Sequence, residues 1–304
     1  MSDSVNLSIR HLRKVYQDGK TALQDFNWEL SNGVYGLLGP NGAGKSTFLE
    51  ILSLNLMPTS GKIFWEGWDI QKNSRSFRRI IGYLPQNYGF YPELKAGHLL
   101  GYLGRLNGLH GSELRRRMDE ILEIVGLADV KKRKIKGFSG GMLQRLAIAQ
   151  SLIHSPRLLV VDEPTTGLDP GERVAFRNML FDLGRTCIVL LSTHIVKDVE
   201  FSCHQMTVLY GGAQHFTGIP VDFIGRVTGR VYEEKIPFRD LETFSKKHRV
   251  IAIQESGEDV AVRFIVSPGE NGARIASPLK ANLEDAYVDF IREREEEERI
   301  AEAG

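Results

Sequence analysis

Gly39-Pro40-Asn41-Gly42-Ala43-Gly44-Lys45-Ser46-Thr47 fits the spacing G-x-x-x-x-G-K-[ST]. Those residue types make a turn that holds phosphate. Glycines let the backbone curl until successive N–H groups converge, and a helix beginning just after them adds a positive terminus. Lys45 is then placed to reach the β- and γ-phosphates, Ser46 to offer its hydroxyl to Mg²⁺, and Thr47 to lie beside the α-phosphate. Further along, Leu158-Leu159-Val160-Val161-Asp162-Glu163 is an apolar run ending in two acids. A carboxylate at a buried strand end needs a partner, because burying an unpaired charge is costly. Mg²⁺ beside Asp162 would supply one. Glu163, pointing elsewhere, could polarise a water for in-line attack. Two acids at a solvated strand end would read the same by themselves; the phosphate turn upstream favours the catalytic reading.

These groups need a scaffold that brings strand ends together. Residues 34–38 form a short apolar run that leads into the glycine-rich turn, and 47–54 an apolar helix after it. Residues 157–161 and 187–191 are continuous apolar runs, as in strands buried on both faces, with a helical pattern at 172–183 between them. Strand, helix, strand predicts a parallel α/β core. Residues 112–125 read as an amphipathic helix with Ser112 as its N-cap. After 218 the pattern changes to a strand at 229–236, a helix at 239–247, a hairpin of 249–254 and 259–266 around Gly257, and a final helix at 283–300. This predicts an α/β domain over 1–218 and a small α+β domain over 219–304.

Composition sets limits. Of 304 residues, 42% are hydrophobic and 25% charged, which excludes a disordered or collagen-like chain. The net charge of +1 does not mark a nucleic-acid binder. Cys187 and Cys203 cannot build a disulfide framework and have no metal-ligand spacing, which fits a reducing compartment. The first ten residues hold no apolar leader, and no apolar run approaches the roughly 20 residues that span a bilayer. Any work at a membrane is therefore expected to go through a partner.

Between the two acid and phosphate motifs lies Phe138-Ser139-Gly140-Gly141-Met142-Leu143-Gln144-Arg145. Taken alone, Ser139 and two glycines before the apolar-periodic 142–152 make a capped helix N-terminus, a second place for an anion. With it, the chain resembles the ATP-binding cassette (ABC) family. The order is the family's: phosphate loop, Gln86 in Tyr83-Leu84-Pro85-Gln86, signature, Asp162-Glu163, Gly167-Leu168-Asp169-Pro170, then Ser192-Thr193-His194. Phe138 and Met142 depart from the commonest signature, L-S-G-G-Q, while Ser139, Gly140 and Gly141 keep it. The resemblance covers roughly residues 5–218. It implies a P-loop NTPase with a RecA-like parallel core, an antiparallel β layer and a helical subdomain. It implies ATP and Mg²⁺ as ligands, and two cassettes head to tail, each ATP held between one phosphate loop and the other's Ser139-Gly140-Gly141.

The resemblance also assigns residues. Ser46, Asp162 and Gln86 would serve Mg²⁺, and Gln86 alternatively the attacking water. His194 would contact the γ-phosphate and hold Glu163. Asp169 would shape the dimer face, or simply be a turn acid before Pro170. Tyr16 would stack on adenine, or be a half-buried strand tyrosine. The single set of motifs argues against the ribosome-acting cassettes. The short interval from Lys45 to Ser139 leaves no room for the coiled coils of repair ATPases. That favours the energising subunit of a membrane transporter, held at the cytoplasmic face by a separate transmembrane permease subunit, with no nucleic-acid partner; the alternative is a soluble cassette that switches a partner without moving cargo. Ala281-Asn282-Leu283-Glu284-Asp285-Ala286-Tyr287 resembles an element found in export-type subunits, so export is expected over import. The aromatics within 87–94 suit either a groove for a permease helix or packing in the helical subdomain. The basic run 131–136 suits either a solvated loop or attraction to anionic lipid.

Overall fold

The computed structural model describes residues 6–165, 168–257, 259–267 and 278–303. The chain divides into two compact units, Met1–Thr217 and Gly218–Gly304. The strands belonging to the first are β1 (Leu7–Val15), β2 (Thr21–Leu30), β3 (Gly33–Leu38), β4 (Ser60–Trp65), β5 (Trp68–Asp69), β6 (Ile81–Leu84), β7 (Leu158–Asp162), β8 (Ile188–Thr193), β9 (Gln205–Tyr210) and β10 (Ala213–Gly218), the last ending at the boundary. Its helices are α1 (Lys45–Leu52), α2 (Ser74–Phe77), α3 (Ala96–Leu106), α4 (Gly111–Ile124), α5 (Gly140–Leu152), α6 (Pro170–Gly184) and α7 (Val196–Ser202).

One sheet runs β5-β4-β1-β2-β10-β9-β3-β8-β7-β6. Its right half, β9-β3-β8-β7-β6, is parallel throughout. Its left end, β5-β4-β1-β2, is antiparallel. The apolar runs explain the parallel half: every residue of β7 and β8 is buried, so helices must cover both faces. The fold class is thus the expected one, a P-loop α/β core with an antiparallel layer. Helices α3, α4 and α5 pack together as the helical part. Among the described residues no helix is long and apolar enough to cross a membrane.

Register decides where the chemistry sits. Leu84 pairs with Val161, Asp162 with Ser192, and Leu38 with Thr193. The carboxyl ends of β6, β7, β8 and β3 therefore lie level. Gln86, Glu163, His194 and Gly39 leave the sheet along one edge, where open α/β sheets bind ligands.

Most boundaries shift by a few residues from the sequence reading, two helix starts among them. Helix α1 starts at Lys45 rather than 47, because the glycine turn ends directly at Gly44. Ser112 is not the N-cap of α4. The first turn is closed by the Leu114 N–H on the His110 carbonyl, which places Ser112 inside the helix. Ser139 does cap α5, its Oγ accepting from the Met142 N–H at 3.2 Å.

The second unit comprises α8 (Pro220–Ile224), β11 (Val231–Pro237), α9 (Leu241–Lys247), β12 (Arg249–Ser256), β13 (Asp259–Ile265) and α10 (Leu283–Ala303). Its antiparallel sheet is ordered β11-β13-β12. Asn282 and Asp285 cap α10 reciprocally: each backbone N–H donates to the other's side chain, at 2.8 and 2.9 Å. The Asp285 carboxylate is also gripped by Arg263 of β13 through Nε at 2.8 Å and Nη2 at 2.7 Å.

Candidate active site

The turn from β3 into α1 lines a cavity of about 480 Å³ with Asn41, Gly42, Gly44, Lys45, Ser46 and Thr47 on one side and Gln86 and Glu163 on another. Gly44 has φ +106, and a Cβ there would stand 2.3 Å from the Ala22 carbonyl oxygen. Only glycine lets this backbone turn back against β2. Lys45 begins α1 and is 6% exposed. Its ammonium donates to the Gly39 and Pro40 carbonyls at 2.7 and 3.1 Å, leaving one of its three protons to offer a ligand. Burial pushes the Lys45 pKa below its usual value, and the nearby Glu163 and Asp162 carboxylates oppose that shift. Thr47 Oγ1 lies 3.1 Å from the Tyr16 hydroxyl, so the aromatic reaches the turn's far end. Lys14 Nζ sits 5.3 Å from the centre of the Tyr16 ring.

Asp162 ends β7 and is 8% exposed. Burial raises its pKa despite the Lys45 ammonium. A carboxylate so desolvated beside one buried ammonium is a fit for a hard divalent cation. Asp162, the Ser46 hydroxyl and the Gln86 amide are all oxygen donors of the kind Mg²⁺ takes, with phosphate completing the set.

Glu163 leaves the sheet with a left-handed backbone, φ +48, its N–H held by the Ser192 carbonyl at 2.8 Å. For a non-glycine residue that is a strained conformation of the sort found at functional sites. Its carboxylate faces two groups. Oε2 accepts from Gln86 Nε2 at 3.0 Å, and Oε1 lies 2.9 Å from His194 Nδ1. The strand register explains the meeting, since all three residues sit just beyond level strand ends.

Residues 23–166 match the ABC transporter family model. The Nod factor export ATP-binding protein I of Cupriavidus pinatubonensis is 35% identical over 93% of this chain and 89% of that protein. The chain belongs to the ABC family. The linearmycin resistance ATP-binding protein LnrL of Bacillus subtilis is 36% identical to the cassette, over 73% of this chain and 72% of that protein. A solved structure, the dimeric post-hydrolysis state of the cassette MJ0796 bound to ADP and Pi, is similar with a TM-score of 0.63 at 25% identity, over 70% of this chain and 98% of that one. The cassette is the ATP-binding subunit of an ABC transporter, and an ATPase.

The phosphate-loop cavity takes in half of the residues marked in the sequence. Gly39, Pro40 and Ala43 form the turn's floor, with the Ala43 N–H on the Pro40 carbonyl at 3.2 Å. Ser139, Gly140 and Gly141 are not among the residues lining it. Gly141 lies against α6 instead, where an added Cβ would meet Glu172 Oε1 at 1.8 Å. Asp169 is the N-cap of α6, its Oδ1 accepting from the Glu172 N–H at 2.8 Å. Thr166 and Gly167, the latter part of the motif ending in Asp169 and Pro170, lie outside the described residues. The basic run is drawn to the chain's own acids: Lys131 pairs with Asp119, while Lys134 and Lys136 share Glu93. Of the aromatics in 87–94, Tyr88 and Phe90 pack on each other, whereas Tyr91 is 75% exposed.

Four residues escaped the sequence reading. Glu172, beside Gly141, and the hydrogen-bonded buried pair Thr165 and Asp198 sit in no motif considered there, and their contacts run across the fold. Lys20 lines the cavity too; a basic residue in the turn between β1 and β2 was the only signal for it.

Proposed function

We propose that the cassette energises an exporter, binding Mg-ATP at the phosphate loop and hydrolysing it with Glu163 as base. The observation that carries the reading is the Glu163 carboxylate, held by Gln86 and His194 on the wall of the cavity that Lys45 enters. The turn amides from Gly39 to Thr47 would bind the phosphates, and Lys45 would turn from its carbonyls to the γ-phosphate. Tyr16 would offer its ring to the base. Ser46, Asp162 and Gln86 would hold Mg²⁺, which when bound would offset charge on the phosphate oxygens. Glu163 would accept a proton from the attacking water, and His194 would keep that carboxylate aimed.

Ser139, Gly140 and Gly141 do not line the chain's own phosphate-loop cavity, which suits a signature serving a second cassette; the similar cassette MJ0796 is dimeric. Asp169, capping α6 beside it, would shape that face. Residues 1–218 would form the cassette domain and 219–304 an accessory domain. Export rests on the relatives named for Nod factor export and linearmycin resistance. The partner would be a separate transmembrane permease, placing the cassette on the cytoplasmic side of the membrane.

A tagged full-length chain tests this. It should co-purify from detergent-solubilised membranes with a polytopic protein, and that complex in liposomes should hydrolyse ATP. Recovery with ribosomes and no membrane protein would overturn the transport reading.

A further inference from the structure

The exposed contact between His194 and Glu163 has a buried counterpart. Thr165, two residues past Glu163, donates its hydroxyl to Asp198 Oδ2, four residues past His194. Both residues are 1% exposed. The His194 side chain, by contrast, is 48% exposed. The two contacts close a ring. One arm runs from Glu163 through Pro164 to Thr165, the other from His194 through α7's first turn to Asp198. Helix α7 is itself seated firmly. Gly36 of β3 gives it room, since a Cβ there would stand 2.8 Å from Val199 Cγ1. The Ile195 N–H is held by Thr193 Oγ1 at 2.9 Å, and the Asp198 N–H by the Ile195 carbonyl at 3.0 Å.

We propose that the Thr165–Asp198 hydrogen bond is a positioning clamp for the hydrolytic step. A half-exposed contact such as His194 to Glu163 has little hold on its own geometry, because water and side-chain freedom compete with it. A hydrogen bond from a buried hydroxyl to a buried carboxylate has no such competitor and resists opening. It fixes the separation of the two chain segments, and thereby the distance from His194 Nδ1 to the Glu163 carboxylate. Thr165 and Asp198 touch no part of the phosphate-loop cavity. Their loss should therefore slow hydrolysis and leave ATP binding in place. The inference rests on the assignment of Glu163 as base and His194 as its support.

The test uses the full chain, with Mg-ATP affinity measured by calorimetry and hydrolysis by single-turnover phosphate release. Thr165→Val keeps the side-chain shape and removes the donor. It should bind ATP within about twofold of the parent and hydrolyse it at least about tenfold more slowly. Thr165→Ser, which restores the hydroxyl, should recover most of the rate. Combining Thr165→Val with His194→Ala should cost no more than His194→Ala alone, since both act through one geometry. Should Thr165→Val melt below the assay temperature, Thr165→Val with Asp198→Leu removes both partners and carries the same expectation. The parent rate in a folded Thr165→Val protein, failure of Thr165→Ser to rescue, or full additivity with His194→Ala would each overturn the clamp. Glu163→Gln is the separate control: if it hydrolyses ATP at the parent rate, the base assignment has failed instead.

Discussion

Gln86 Nε2 donates to Glu163 Oε2 at 3.0 Å, tying the loop after β6 to the residue after β7. Parallel register makes the contact, because Leu84 faces Val161 and each functional residue lies two positions beyond. With His194 on the other oxygen, each oxygen of the carboxylate has one side-chain partner. With Glu163 as the proposed base, an attacking water would share Oε2 with Gln86. A shift of Gln86 would then alter how that carboxylate is held.

The first prediction follows from that geometry. Glu163→Gln keeps hydrogen-bonding capacity and loses the proton acceptor. Phosphate release should fall by about 10²- to 10⁴-fold. Mg-ATP affinity should stay near the parent's, and ATP should shift the protein toward a dimer on size exclusion, since closure no longer ends in cleavage. Parent-like turnover would show that another group activates water.

Gly44→Ala should disable the phosphate turn. The added methyl would stand 2.3 Å from the Ala22 carbonyl in a backbone at φ +106. Strain of that kind costs about 1–3 kcal/mol, and relief requires moving β2 or opening the turn. Calorimetry should show ATP binding lost, with a lower melting temperature. By contrast, Gly42 has open space at its Cβ, so Gly42→Ala should be the milder change.

The sequence made the chemistry legible where function confines residue type to a short run. The phosphate turn, Asp162-Glu163 and Ser192-Thr193-His194 all fall at the ends of apolar strands, so the strand pattern located them. It could not say that Gln86, Glu163 and His194 converge, because level strand ends come from pairing between strands far apart in the chain. Thr165 and Asp198 were invisible for the same reason: a threonine in a turn and an acid on a short helix are ordinary until burial joins them. Ser112 misled because a serine before an apolar helix looks like a cap, whereas the chain had already turned at His110. Asp169, allowed either a dimer-face or a turn role, has its side chain engaged as a helix cap.

The burial of Asp162 costs the fold stability. Its pKa is raised in the fold, chiefly by burial. A carboxyl with a folded pKa above its unfolded value binds protons more readily when folded, so stability falls as pH rises from the unfolded toward the folded pKa. Above both, the penalty is complete. Asp162→Asn should therefore raise the melting temperature at neutral pH when no nucleotide is added, and abolish Mg²⁺-dependent hydrolysis. The stabilisation should vanish below about pH 3, where the parent carboxyl is protonated in both states. Thermal melts across pH measure this, and an equal gain at every pH would refute the linkage.

In the second unit, Asp285 is 1% exposed on its side chain and depends on Arg263 for its countercharge. The same interaction raises the Arg263 pKa, burial opposing it. Arg263→Ala leaves a buried carboxylate unpaired, a loss expected to cost about 3–5 kcal/mol. Hydrogen exchange on the full chain should speed up across β11, β12 and β13. ATP affinity should be unchanged, because every residue lining the nucleotide cavity belongs to the first unit. Replacing both partners, Arg263→Leu with Asp285→Leu, removes the unpaired charge and one half of the reciprocal cap on α10, the Asn282 side-chain half remaining. Protection should then return in the strands, with exchange in the first turn of α10 faster than in the parent. Unaltered exchange in Arg263→Ala would show that the pair contributes nothing to the unit's stability.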